Sequence, residues 1–391
     1  VSRSLDLRLC VVTSYPPNRA RLSEYSKCLI RELSRSQNID EIHVVADVVG
    51  GRKNSVWESP KVQVLRVWRS DDALSILAVI PKIVRLRPDV VHLNLHFQSF
   101  GRGRPANFVG ISLVRLLRLL GMNVVVTVHN LAEKVDLEKV GVKLNTLNRI
   151  GIVLATKILL CANVIVVPVR SYVEHLERVH RCRRTAYIRH GAALRTVERQ
   201  NMPNSGEKKV LMFGHMAPHK GLPVVLEAFD EMINEGARAR LVVAGSDHPN
   251  FPGYLERFIR MASPGVEFLG YVPEEDVENL FVSSDVIVLP YLTATGTSGV
   301  FHTACSFGKP IVASDLPEIR ELVAEGASAV LVQPGDPKAL NLAIRGLLDD
   351  PDRCLELGRR NLAYASRETW DSIAAEYEHV YGALGKIRTR A

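Results

Sequence analysis

At 391 residues the chain is too long for one ordinary core, so two domains are expected. Its 47% hydrophobic and 24% charged residues are those of a soluble globular protein. The net charge of +8 is uneven: residues 1–200 hold 32 Lys/Arg against 16 Asp/Glu, and residues 201–391 hold 18 against 26. Halves of opposite sign imply domains with different partners. The basic half suits an anionic membrane surface or an acidic acceptor. Nucleic acid is disfavoured, because aromatics are few there and no helix-turn-helix, zinc-finger or RNP pattern occurs. The six cysteines (10, 28, 161, 182, 305 and 354) are scattered without a C-x-x-C pair, which points to buried reduced thiols rather than a zinc site or disulfide framework.

In chain order, strands are predicted at Leu7–Thr13, Ile42–Val49, Val62–Val67, Val90–Leu95, Val124–His129, Val164–Pro168 and Tyr187–Arg189. Helical periodicity fits Ser23–Arg35, Ala106–Leu120, Lys143–Leu160 and Val169–Val179 between them. A polar break, QNMPNSGEKK at 200–209, is the linker candidate. Strands resume at Val210–Gly214, Arg240–Gly245, Val266–Leu269, Val286–Leu289, Ile311–Ala313 and Ala329–Val332. Helices alternate with them at Leu222–Glu235, Tyr254–Ala262, Pro273–Ser283, Gly299–Phe307, Pro317–Ala324 and Pro337–Leu348. Such alternation predicts α/β architecture with two doubly wound parallel sheets.

Ile150–Val169 is the one stretch that mimics a membrane span. Lys157 sits inside it and Asn163 and Pro168 interrupt it, so a helix followed by a buried strand is expected. Leu9–Val12 is too short for a signal-peptide core and reads as the first strand, which makes a cytoplasmic protein the expectation. Helix Ala106–Leu120 carries Arg115 and Arg118 beside an apolar face. It reads either as a core helix with solvated arginines, or as a membrane-surface patch joined by Arg102, Arg104, Arg181, Arg183 and Arg184.

Residues 289–312, LPYLTATGTSGVFHTACSFGKPIV, are the most informative stretch. Strand, Gly-rich turn and helix is how an open α/β sheet presents free N–H groups to a phosphate, here through Ser298, Gly299 and Val300. His92, Asn94 and His96 alternate, so one face of a strand end carries all three. Without a carboxylate or Cys beside them, acceptor-pocket or loop-bracing duty is expected rather than a metal. No D-x-D follows an apolar strand, and the DPD at 350–352 reads as a surface turn capping a helix. No G-x-G-x-x-G follows a strand either, which disfavours a Rossmann oxidoreductase.

The blocks VLMFGHMAPHKGLPVVLEAF, LVVAG, VEFLGYVPEEDVENLF, SDVIVLPY, GKPIVASDLPEIRELV and LVQPGDPKALNLAI occur in that order, and TWDSIAAEYEHVYGAL closes the chain. Together they resemble the retaining glycosyltransferases of family 4. SYPP, DVVHLN, VVVTVHN and IRHG extend the resemblance more loosely into the first half. The resemblance implies the GT-B fold: two facing Rossmann-like doubly wound parallel sheets, with a C-terminal helix returning to the first domain. It places an acceptor-binding domain at 1–200, a nucleotide-sugar domain at 207–368 and the returning helix at 369–391.

The family's donor-binding positions fall on Gly214, His215, Lys220, Gly245, Tyr291, Thr295, Ser298, Gly299, Val300 and Thr303. Lys220, in HKG before a helix, matches the lysine that contacts the diphosphate. His129 matches the histidine near the transferred sugar. His190 fits the interdomain crossover, and Arg21 and His92 are assigned with it to the diphosphate loop or the acceptor. Departures are specific. His215 replaces an arginine, and Thr295 and Thr303 replace two glutamates, the second of which grips the ribose. Ala20-Arg21-Leu22 replaces paired glycines, and Pro317-Glu318 a glycine-containing turn. The SGV form resembles a variant branch of the same family.

The expectation is therefore a glycosyltransferase that moves a sugar with retention from a UDP- or GDP-sugar to a glycan or lipid-linked acceptor. It works without cofactor or metal, with peripheral contact to the inner face of an anionic membrane and no nucleic-acid partner. No general base is assigned, because in the family the leaving phosphate takes the acceptor proton. The rival is a non-catalytic, glycosyltransferase-like subunit that binds nucleotide sugar or glycan in a glycan-assembly complex. A sugar-nucleotide epimerase would need acidic residues poised in the site, for which Glu133, Glu318 and Glu321 are the candidates.

Overall fold

The protein was analysed as a computed structural model, which describes residues 6–18, 21–50, 55–96, 98–136, 138–140, 145–193 and 207–388. They form two compact units, one of Val1–Val135, Lys143–Gly191 and Trp370–Ala391, the other of Asp136–Val142 and Ala192–Thr369. Most of the linker candidate, with Ala20, lies outside the described residues. Its last two residues, Lys208 and Lys209, already belong to a strand.

The first unit runs β1 (Leu7–Val12), α1 (Arg21–Leu33), β2 (Ile39–Asp47), β3 (Ser55–Ser59), β4 (Val62–Trp68), α2 (Ala73–Leu77), α3 (Val79–Leu86) and β5 (Val90–Leu95). It continues through α4 (Arg104–Leu119), β6 (Val124–Val128), α5 (Thr146–Leu159), β7 (Val164–Val167), α6 (Arg170–His180) and β8 (Thr185–Tyr187). Its eight strands are ordered β3-β4-β2-β1-β5-β6-β7-β8. All pairings are parallel except that of β3, an antiparallel edge strand. Every residue of β5 and β6 is buried, as expected of parallel strands covered by helices on both faces. Ile150–Val169 folds as the expected helix and buried strand, and no helix among the described residues is long and apolar enough to cross a membrane.

The second unit runs β9 (Lys208–Phe213), a single 3-10 turn (Pro218–Lys220), α7 (Leu222–Asn234), β10 (Ala239–Ala244), α8 (Glu256–Ile259), β11 (Val266–Gly270) and α9 (Glu274–Val282). There follow β12 (Val286–Leu289), α10 (Gly299–Ser306), β13 (Ile311–Ser314), α11 (Pro317–Ala324), β14 (Val330–Val332), α12 (Pro337–Leu348) and α13 (Pro351–Arg367). The six strands are ordered β11-β10-β9-β12-β13-β14, all parallel. Chain order reverses between β9 and β12. In an open α/β sheet, ligands bind at the carboxyl ends of the strands beside such a reversal. The period of two sorts the strand residues into two cores. Leu211, Val242, Ile287 and Ala313 face one layer of helices, and Val210, Val243, Val288 and Val312 the other.

The closing helix, α14 (Trp370–Arg388), belongs to the first unit, where it packs on α1. Its buried phenols enter a polar chain beneath the helix. Tyr381 Oη meets His92 Nδ1 and His92 Nε2 meets Thr127 Oγ1, both at 2.8 Å. Thr127 Oγ1 meets Tyr377 Oη at 2.8 Å, and Tyr377 meets Tyr25 Oη at 3.0 Å. Such a network is favourable because each buried polar group finds a partner.

The sequence reading missed four elements: β3, α2, α3 and α13. The predicted helix Tyr254–Ala262 shrinks to α8, because Asp247 accepts from Gly253 N (2.6 Å) and Leu255 N (2.8 Å) and holds its first turn as a loop. The DPD at 350–352 caps a helix as read: Asp350 accepts from Arg353 N at 2.9 Å and opens α13. All six cysteines are free thiols.

Candidate functional site

The ends of β9 and β12 converge through close backbone packing. Gly214 follows β9 with φ 118°, and a Cβ there would lie 3.4 Å from Val300 Cγ2. Gly245 follows β10 with φ 131°, and a Cβ would stand 1.9 Å from Gly214 O, so a side chain is excluded. Gly221 closes the 3-10 turn with φ 73°, and its Cβ would fall 1.8 Å from Pro290 O. This contact, with Leu292 N donating to His219 O at 2.9 Å, lays the HKG turn on the end of β12. Lys220 Nζ then lies 3.7 Å from the Tyr291 ring centroid, a cation–π contact that orients the ammonium.

From the same ring the site continues into α10. Tyr291 Oη and Ser298 Oγ are 3.2 Å apart, and Ser298 caps the helix by accepting from Phe301 N at 3.3 Å. His302 N bonds Ser298 O at 3.2 Å. The Gly299 and Val300 N–H groups precede the first intrahelical bond, and Gly299 is exposed. They stand where the helix dipole is positive. Thr297 Oγ1 and His302 Nε2, 3.0 Å apart, tie the turn to the helix. This pair escaped the sequence reading, since Thr and buried His so spaced carry no motif.

Thr303 is partly buried, and its hydroxyl donates to Gly299 O at 3.0 Å. Its proton is therefore spent inside the helix, leaving one acceptor where a glutamate would offer two charged oxygens. Thr295, also partly buried, lies in the loop between β12 and α10. His215 Nδ1 is 3.4 Å from Ser246 Oγ, and its ring is 6.4 Å from that of His248. A chain of imidazoles thus lines the loop after β9, since His248 is also 6.2 Å from His219.

In the first unit, His129 Nε2 donates to Asn94 Oδ1 at 2.6 Å, and Asn94 Nδ2 reaches Ser26 Oγ at 2.9 Å. The acceptor oxygen fixes the His129 proton on Nε2 and leaves Nδ1 as the ring's acceptor. Burial, then the neighbouring His190, hold the His129 pKa well below its usual value, so the ring is neutral. His190 packs edge-on to Tyr25 at 5.2 Å and donates from Nδ1 to Gly191 O at 2.7 Å. Burial lowers its pKa to about 4.

His92 needs a correction. It is 0% exposed, and both ring nitrogens are engaged by Tyr381 and Thr127, so it braces α14 and has no atom left for an acceptor. Asn94, 1% exposed, is likewise internal and orients His129. Arg21 begins α1, and its side chain lies outside the described residues. Glu133 belongs to the first unit, where His175 and His180 hold it, whereas Glu318 and Glu321 belong to α11 of the second. Neither unit therefore holds all three candidate carboxylates: Glu318 and Glu321 share α11, and Glu133 lies in the other unit.

The fold and the site define a GT-B α/β protein, with a phosphate-suited strand–turn–helix at the chain reversal of its second sheet. Residues 207–350 match the family model described as Glycosyl transferases group 1. A curated relative, D-inositol 3-phosphate glycosyltransferase 2 of Catenulispora acidiphila, is 32% identical over 183 residues, covering 44% of this chain and 42% of that protein. Phosphatidyl-myo-inositol mannosyltransferase of Mycolicibacterium smegmatis is 25% identical over 48% of each chain. The chain thus spans about half the length of the curated relatives it matches. Among solved structures, sucrose-phosphate synthase of Thermosynechococcus elongatus superposes with a TM-score of 0.77 at 18% identity, covering 97% of this chain and 99% of that one. Anabaena HepE in complex with UDP-glucose gives 0.73 at 16% identity, covering 96% and 100%.

Proposed function

We propose that the protein is a glycosyltransferase that takes a sugar from a UDP- or GDP-sugar and transfers it, with retention, to a glycan or lipid-linked acceptor. The observation that carries this reading is the convergence, at the β9/β12 reversal, of the Lys220 ammonium with the N–H groups opening α10. A leaving diphosphate needs positive potential from directions that do not rearrange during the reaction. A lysine held on an aromatic ring and a capped helix N-terminus supply it.

In this reading, Gly214 and Gly245 let the diphosphate approach the backbone, Thr303 accepts from a ribose hydroxyl, and His129 Nδ1 accepts from a hydroxyl of the transferred sugar. The basic first unit is assigned to an acidic or lipid-linked acceptor and the second to the donor. The matched proteins support the donor class. HepE was solved with UDP-glucose, and the two curated relatives are named for inositol-based acceptors.

The test is a thermal-shift screen with UDP, GDP, ADP and their sugars, followed by nucleoside diphosphate release with candidate acceptors. Stabilisation by one nucleotide series and turnover with its sugar are expected, with the anomeric configuration of the product reporting retention. Binding without turnover across the donor panel would favour the non-catalytic subunit instead.

A further inference from the structure

Glu133 follows β6, and His175 and His180 lie on α6. Both imidazole Nε2 atoms approach the same carboxylate oxygen, Glu133 Oε2, each at 2.8 Å. One ligand atom from each residue lies within 4.8 Å of the other two. The side chains are largely withdrawn from water, 13% exposed for Glu133 and His175 and 10% for His180. Nothing assigned to the donor or acceptor uses them.

We propose that Glu133, His175 and His180 form a binding site for a zinc-class divalent ion, which fastens the loop after β6 to α6. Two imidazoles and a carboxylate are a donor set for a borderline ion, with one position open to water. Bonds of about 2.0–2.1 Å to a tetrahedral ion separate neighbouring ligand atoms by roughly 3.3 Å. Parting the two 2.8 Å contacts by about half an ångström brings each imidazole–carboxylate separation to that value.

The carboxylate is unevenly satisfied as it stands. Oε2 serves both rings, while Oε1 is buried without a hydrogen-bond partner among the described residues. The Thr156 hydroxyl donates to Ile152 O at 3.1 Å and also helps steady the Glu133 carboxylate. A buried oxygen left in this state calls for an explanation, and an ion bridging the three side chains is one.

Helix spacing alone does not produce this cluster. Positions five apart stand about 140° apart around a regular helix. The two rings meet because His180 is the last residue of α6, where Arg181 turns left-handed with φ 52°. Two imidazoles and one carboxylate supply a nitrogen-rich donor set with a single negative charge, so inner-sphere bonds must hold the ion. Nitrogen-preferring Zn²⁺ and Co²⁺ fit that demand, and Mg²⁺ and Ca²⁺ do not.

The test uses the untagged full chain, stripped with chelator and titrated with Zn²⁺ against a chromophoric competitor. One ion per chain is expected, with a rise in thermal midpoint and, for Co²⁺, visible absorption of a low-coordinate nitrogen–oxygen site. His175→Ala/His180→Ala is expected to weaken zinc binding at least a hundredfold. Glu133→Gln keeps an acceptor oxygen for the rings but loses the anionic ligand, so it is expected to stay folded without metal and lose about tenfold or more in zinc affinity. Zinc bound equally well by the wild-type chain and Glu133→Gln, or no stoichiometric zinc on the wild-type chain, overturns the proposal.

Discussion

Replacing Lys220 by Ala tests the donor site most directly. Its ammonium sits 3.7 Å over Tyr291, and its backbone N–H bonds Ala217 O at 2.9 Å, a contact that alanine keeps. The cation–π part of what the folded chain loses is about 0.5–1 kcal/mol. The bound diphosphate loses a charge-assisted contact worth about 2 kcal/mol, a factor of roughly 30 in dissociation constant. With nucleotide at about a hundred times the wild-type dissociation constant, ligand stabilisation is about 2.7 kcal/mol. In the variant the same concentration stabilises by about 0.9 kcal/mol, which differential scanning fluorimetry resolves. Tyr291→Phe keeps the ring and should keep most of the shift. An undiminished shift in Lys220→Ala would remove the lysine from the donor site, and the proposed charge balance with it.

Gly221→Ala should destabilise the second unit by more than about 2 kcal/mol, since φ is 73° and the new Cβ would stand 1.8 Å from Pro290 O; an unchanged urea midpoint would refute the packing described. His129→Ala should lower turnover on the order of a hundredfold while leaving nucleotide affinity within about twofold. A loss of nucleotide affinity instead would make it a donor-binding or structural residue. His92, whose pKa burial lowers to about 3, refuses a proton that the unfolded chain accepts near 6.5, so its contribution is complete above pH 6.5 and falls as pH drops towards 3. At pH 5 this alone costs about 2 kcal/mol of stability, and His92→Gln should flatten the slope between pH 6.5 and 4; equal slopes would contradict it.

The alternation of Val-rich runs with amphipathic segments made both parallel sheets legible, because buried strands leave a period of two and a β-branched composition on any sequence. The edge strand β3, with exposed Trp57, lacks that imprint: it pairs on one side and faces solvent. The turns that end β9 and β10 and open α7 were equally legible, since Gly214, Gly245 and Gly221 are demanded by positive φ, and so was the helix start at Ser298. Side-chain duties were less so. His92 on β5 and His129 just after β6 both alternate with polar neighbours, yet His92 is bonded by Tyr381 of α14 and His129 by Asn94 of β5. That helix is more than 240 residues away in sequence, so no local pattern distinguishes them. Glu133, His175 and His180 meet only in three dimensions for the same reason.

Thr303 shows how the altered donor loop can be tested against its own electrostatics. The hydroxyl proton is held by Gly299 O, so a ribose hydroxyl finds one neutral acceptor. Thr303→Glu would add two charged acceptors, worth about 1–3 kcal/mol if the bond is charge-assisted. The same carboxylate repels a diphosphate: at about 6 Å and an effective dielectric near 20, the cost is on the order of 2–3 kcal/mol per charge. A diphosphate carries at least two charges, so for it the repulsion exceeds the gain, whereas a nucleoside, which carries no phosphate, keeps the gain alone. The variant should therefore bind uridine or guanosine roughly tenfold tighter while its affinity for the diphosphate falls. Calorimetry with both ligands separates the terms. No gain with either nucleoside would mean that Thr303 does not face the ribose, whereas equal gains with nucleoside and diphosphate would place the diphosphate away from the N-terminus of α10.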